Sequence, residues 1–138
     1  MCIETTKKQM LLVWCFVIFS LLGCNRFDPC QQEEVYRKTS LDGAVDVVVV
    51  KKDCGATTSV SNMVYVVKKG DSIRKQELVF LADKVQDLEV IWTKPKQLLI
   101  SYAEARIFSY TNFWNSRDVE NFMYTVAIQE IQKGHASR

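Results

Sequence analysis

The residues Ala44-Val45-Asp46-Val47-Val48-Val49-Val50-Lys51-Lys52 decide the fold class. Valine is β-branched and stiff at χ1, which suits the pleated half-buried surface of a strand better than a helix. The two lysines close the run. Four consecutive valines break the in-out alternation, so the segment predicts a strand buried on both faces over part of its length. Asp46 sits inside this run, where a charge is costly unless it is paired or exposed. Arg106 and Lys84 are candidate partners, between which the sequence does not choose.

Reading outward, Ser40-Leu41-Asp42-Gly43 is a tight-turn pattern, and residues 33–38 precede it as a short strand. Downstream, residues 53–58 read as a loop and residues 60–68 as a second strand, stopped by Lys69-Gly70-Asp71. Residues 77–82 and 88–92 read as further strands. Thr93-Lys94-Pro95-Lys96-Gln97 is a turn, from which residues 98–102 return. In that hairpin Leu88, Val90 and Trp92 alternate on one side and Leu98, Ile100 and Tyr102 answer them. Residues 103–119 are ambiguous. Residues 120–131 alternate with Phe122, Tyr124, Val126 and Ile128 on one face; a terminal helix is the rival, disfavoured by β-branched and aromatic content. Six to eight short strands predict a mostly β fold, a single antiparallel β-sandwich or small barrel, with α+β as the alternative.

The chain of 138 residues is long enough for one ordinary domain. Its net charge of +2, from 18 basic and 16 acidic residues, supplies no strong field for nucleic acid. A hydrophobic content of 48% argues against a disordered tail. One histidine, His135, and two prolines exclude a His-rich metal site and a Pro-rich linker. Neither a Gly-rich phosphate loop, a Ser-His-Asp set nor an HExxH helix occurs, so no metal and no cofactor is expected.

The first residues read as an address. Lys7 and Lys8 precede an uncharged apolar run over residues 10–23. At 14 residues it is short of the roughly 20 that span a bilayer. It suits the apolar region of a secretory signal, about 7–15 residues long. The run ends Leu21-Leu22-Gly23-Cys24, which resembles the lipobox of bacterial lipoproteins. That resemblance implies a thioether from the Cys24 thiol to diacylglycerol, cleavage before Cys24, and usually acylation of the new terminus. Two or three acyl chains make a stable anchor. An uncleaved signal anchor is the alternative. The implied organisation is a signal peptide over 1–23, a lipidated Cys24 and short tether over 24–32, a β-rich domain over 33–132 and a flexible tail over 133–138. The implied location is the cell envelope, at the outer membrane facing the periplasm because Asn25 follows the cysteine. In a single-membrane source it is the outer leaflet of the cytoplasmic membrane. The membrane, reached through acylated Cys24, is then the first partner.

On that reading Cys2 and Cys15 leave with the signal and Cys24 carries lipid, so Cys30 and Cys54 remain as an even pair in a disulfide-permissive compartment. They are expected to bridge, with two free thiols as the alternative. Around the second of them, Asp53-Cys54-Gly55-Ala56-Thr57-Thr58 is the most distinctive stretch. With Asp42-Gly43 upstream and Glu89-Val90-Ile91-Trp92 downstream, it resembles a family of small uncharacterised bacterial lipoproteins. In that family a Ser-x-Asp-Gly turn precedes a Val-rich strand, a Cys-Gly-Ala-Thr-Thr loop and a Trp-containing hairpin. The resemblance covers residues 40–102, has Leu41 in place of the family's Pro, and implies no activity.

Few side chains carry a chemical suggestion. Cys54 as a nucleophile would need a base, and the sole histidine is 81 positions away. Thr57 and Thr58 read as loop ties through side-chain to backbone bonds, or as ligand contacts. Asp42 and Asp53 are explained by a turn and a strand end. Lys51-Lys52 and Lys68-Lys69 sit at strand ends that a loop can bring together, facing anionic headgroups or wall polymers, or merely solvent. Phe108, Tyr110, Phe113 and Trp114, interleaved with Asn112 and Asn115, are a candidate stacking or partner surface, or a satellite core. The expected function is a non-enzymatic binding or interaction module for an envelope protein or cell-wall partner. The alternative is a small-ligand carrier or enzyme with a pocket near Asp46 and Thr57.

Overall fold

In the computed structural model, which describes residues 30–134, the Val-rich stretch is the second strand, β2 (Val45–Asp53). It pairs antiparallel with β1 (Gln31–Thr39) on one side and β3 (Ser61–Lys68) on the other. β4 (Leu78–Gln86) and β7 (Glu104–Tyr110) complete a five-stranded sheet of order β1-β2-β3-β4-β7. A second sheet contains β5 (Glu89–Lys94), β6 (Gln97–Tyr102), β8 (Phe113–Asn115) and β9 (Thr125–Gln132) in the order β5-β6-β9-β8. The two open sheets make a sandwich, not a closed barrel. The chain is mostly β, as its valines and turns predict.

Alternation along each strand fills the space between the sheets. Val45, Val47 and Val49 of β2, Val64 and Val66 of β3 and Phe80 of β4 meet Val90, Ile100, Trp114, Val126 and Ile128. Burying each such side chain stabilises the fold by about 1.5–3 kcal/mol relative to exposure. The intervening residues point to the other face of the first sheet. There Val48, Val50, Met63, Tyr65 and Val67 form a second cluster, packed by Ile73, Leu78 and Leu81. The valine run thus serves two apolar layers, which is why it does not alternate. In the hairpin Val90 faces Ile100 and Trp92 faces Leu98, in the expected register.

Four features differ from the sequence reading. β1 begins at Gln31, two residues inside the stretch read as tether, because Gln31 and Gln32 pair with Asp53 and Lys52. The ambiguous stretch holds β7 and β8. β6 and β9 run parallel, since the chain between them leaves for the other sheet and returns. The last strand starts only at Thr125, after a 3-10 turn at Glu120–Phe122 that faces Phe122 to solvent rather than to the core. The signal segment, Cys24, residues 25–29 of the tether and residues 135–138 of the tail lie outside the described residues.

The strand directions give the sandwich two distinct ends. The N-terminal end gathers Cys30, the loop 54–60, the turn 87–88, Ala103 and Lys133. The far end gathers the turns at 40–44, 69–77, 95–96 and 116–124. Cys30 and Cys54 are joined by a disulfide that ties the start of β1 to the loop after β2.

Candidate functional site

The buried acid in the valine run is structural. The Asp46 side chain is 4% exposed and lies at the far end. Its carboxylate accepts from Thr39 Oγ1 at 2.8 Å, the Gly70 backbone N–H at 3.0 Å and Arg37 Nη1 at 3.2 Å. Burial pushes its pKa up, but those donors outweigh it and hold the carboxyl below its ordinary value. Its cation is therefore Arg37, on the adjacent strand, not Arg106 or Lys84. Arg106 instead forks onto Asp83. Three donors on a buried carboxylate make Asp46 an anchor between strands.

Three turns are tied together at the same end. Gly43, at φ +75°, closes the Ser40 turn with an N–H to the Ser40 carbonyl at 2.9 Å. Asp42 accepts from Ser40 Oγ and from Tyr124 Oη, each at 2.6 Å. Burial raises the Tyr124 pKa, and the bond to Asp42 raises it further, to about 12. Lys96 Nζ lies 4.5 Å from the centre of the Tyr124 ring. Between buried Val119 and Tyr124, residues Glu120, Asn121 and Phe122 all adopt positive φ, +50°, +48° and +68°. Left-handed backbone costs L-residues roughly 1–2 kcal/mol each. The strained turn displays Phe122, 52% exposed, and Met123, 80% exposed. Leu41, in the turn tied to Tyr124, is 65% exposed. Sequence reading missed all three. The available signal was Leu41 itself, an apolar residue at a turn apex with no strand to carry it inward.

The aromatic group divides. Trp114 is 4% exposed, a core residue whose Nε1–H donates to Glu77 Oε2 at 2.6 Å, so it is no part of any contact surface. Arg74 joins Glu77 to Asp118 beside it. Strand alternation then faces its neighbour Phe113 outward, at 55% exposed. Phe108 lies under the Arg106 guanidinium and is exposed. Tyr110 is partly exposed and donates from Oη to the Ile128 carbonyl at 2.7 Å, closing the flank between β7 and β9. Phe108, Tyr110 and Phe113 thus share one side of the sandwich, on the edge strands of its two sheets.

Thr57 and Thr58 are exposed in the disulfide loop. Thr58 folds back on Gly55, Oγ1 donating to its carbonyl at 3.2 Å, which is a loop tie. Thr57 and Asp46 stand at opposite ends of β2 and line no common pocket. Lys51-Lys52 and Lys68-Lys69 are likewise kept apart, because antiparallel pairing sets Lys52 against Ser61 and Lys68 against Val45. A groove of about 880 Å³ does open at the N-terminal end, lined by Glu33, Lys51, Asn62 and Lys84 together with Val60 and Val85. Cys54 is held in its disulfide, and no three metal-binding side chains come together among the described residues. No protein-family model, curated protein or solved structure matches the chain.

Proposed function

We propose that the protein is an envelope lipoprotein, held to a membrane through acylated Cys24, whose sandwich works as a non-enzymatic binding module. The observation that carries the binding reading is the flank: Phe108, Tyr110 and Phe113 stay exposed on edge strands while Trp114 beside them is buried. Exposed aromatics on unpaired edges are what a partner protein or the sugar rings of a wall polymer would cover. Asn25 favours the outer membrane facing the periplasm, or the outer leaflet of the cytoplasmic membrane where the source has one membrane.

Two measurements test this. Intact mass of the protein from its native membrane is expected to equal residues 24–138 plus acyl chains, rising by two hydrogens on reduction. A photo-cross-linker at position 113 is expected to capture a defined envelope component, lost in a Phe108→Ser variant. An unmodified full-length mass refutes the anchor; absence of any cross-link in intact cells refutes the flank. The groove at the N-terminal end supports a second reading, a carrier of a small polar ligand, which saturable binding sensitive to Asn62→Leu would establish.

A further inference from the structure

We infer that the far end of the sandwich docks onto an anionic lipid surface. The inference goes beyond the flank and depends on the anchor reading only for which membrane is met. Its first support is a juxtaposition. The Tyr124–Asp42 hydrogen bond sets Met123 and Leu41, the two most exposed large apolar residues described, one position from either side of the same contact. Phe122 emerges from the adjoining left-handed turn. The second support is that this turn keeps three consecutive non-glycine residues at positive φ, which orients Phe122 and Met123 to solvent rather than to the core.

The third support is charge. The same end bears exposed Lys68, Lys69, Lys75, Lys94, Lys96 and Arg117. Its acids are partly occupied, Asp42 by Tyr124, Asp46 by Arg37, and Glu77 and Asp118 by Arg74, which leaves a half-buried Asp71 and an exposed Glu120 against those cations. The N-terminal end mixes the signs, with Glu33, Glu34, Asp53, Asp87, Glu89 and Glu104 exposed among Lys51, Lys84, Arg106 and Lys133. Apolar tips on separate turns inside a cationic rim suit a fluid interface, which takes side chains individually. Leu41, Phe122 and Met123 enter the headgroup boundary while the lysines meet phosphates. A folded acidic partner would instead need one matched concave face.

The nine residues of β1 set this end about 30 Å from Cys30, so it meets an apposed bilayer or lays the domain along its own. The test uses the protein purified from its native membrane and reconstituted in phosphatidylcholine vesicles, with an environment-sensitive fluorophore introduced at position 123 as a non-natural amino acid. Phosphatidylglycerol is supplied either in a second vesicle population or in the same one. A blue shift with tethering indicates an apposed bilayer, and a blue shift without tethering the same bilayer. Either response is expected to fall about tenfold in Leu41→Ser/Phe122→Ser and in Lys94→Ser/Lys96→Ser, and to weaken with salt. No shift with phosphatidylglycerol in either arrangement overturns the inference. So does a shift retained in both double variants, or one produced only by an acidic envelope protein. Intact mass of the same preparation reports the anchor separately, so an unmodified Cys24 with a retained shift removes the anchor reading alone.

Discussion

Asp46 shows how one polar residue can interrupt an apolar strand without weakening it. Its desolvation is offset by three donors drawn from β1 and from the turn after β3, so the carboxylate joins three neighbouring segments. Asp46→Ala strands Arg37 and leaves the Gly70 N–H and the Thr39 hydroxyl short of an acceptor. A loss of about 2–4 kcal/mol is expected in urea unfolding. A loss under half a kilocalorie would mean water replaces the carboxylate. The pair Phe113 and Trp114 gives a sharper contrast, because adjacent aromatics face opposite ways. Trp114→Ala is expected to cost about 3–5 kcal/mol through the cavity and the loss of one of the two donors to buried Glu77. Phe113→Ser should change stability by no more than about 0.5 kcal/mol. Equal losses in the two variants would place Phe113 in the core.

At the level of elements, β1 needs the disulfide most. It is an edge strand with one neighbour, and most of its side chains face solvent. Closing the loop between Cys30 and Cys54, 24 positions apart, removes about 3.5 kcal/mol of chain entropy from the unfolded state. Cys54→Ser is therefore expected to lower stability by about 3–4 kcal/mol. Hydrogen exchange should quicken first at Glu33 and Glu34, near the released end. Uniform exchange along β1 would show that strand pairing alone holds it. The elements legible in the sequence are those with strong local patterns: the valine strand, the Gly-closed turns and the β5–β6 hairpin. β7 and β8 were not legible. β7 exposes nearly every residue, so no period of two marks it, and β8 has only three residues. The parallel β6–β9 contact is set by where the chain returns after crossing sheets, which no local pattern encodes. For the same reason the sequence marks the aromatic cluster but not its division, and it does not mark the far-end link between Asp42 and Tyr124. That link joins positions 82 apart.

The whole molecule's stability should fall away on both sides of neutrality, for different groups. On the acid side, Asp46 and Asp42 are held below 3.8 by donors that outweigh burial, and Asp83 and Asp118 by the guanidinium groups of Arg106 and Arg74. A carboxyl whose pKa is depressed by folding contributes fully above its unfolded value. That contribution is lost as pH falls through the folded one, because the unfolded chain then binds more protons. On the alkaline side, burial followed by the bonds to Glu130 and Asp42 lifts Tyr102 and Tyr124 to about 12. A raised phenol keeps its full contribution below its ordinary value of 10 and loses it between 10 and 12, where the unfolded chain ionises first. Each of the two should remove about 1.4 kcal/mol per pH unit across that interval. Urea unfolding followed from pH 3 to pH 11.5 is expected to give a plateau through neutrality with a decline at either margin. Tyr124→Phe should lower the plateau by about 1–2 kcal/mol, remove one of the phenolic contributions to the alkaline decline, and soften the acid limb only by the share of the Asp42 shift that its hydroxyl supplies. An alkaline limb unchanged in that variant would mean that Tyr124 ionises as freely in the fold as outside it, and that its bond to Asp42 does not hold the far end together.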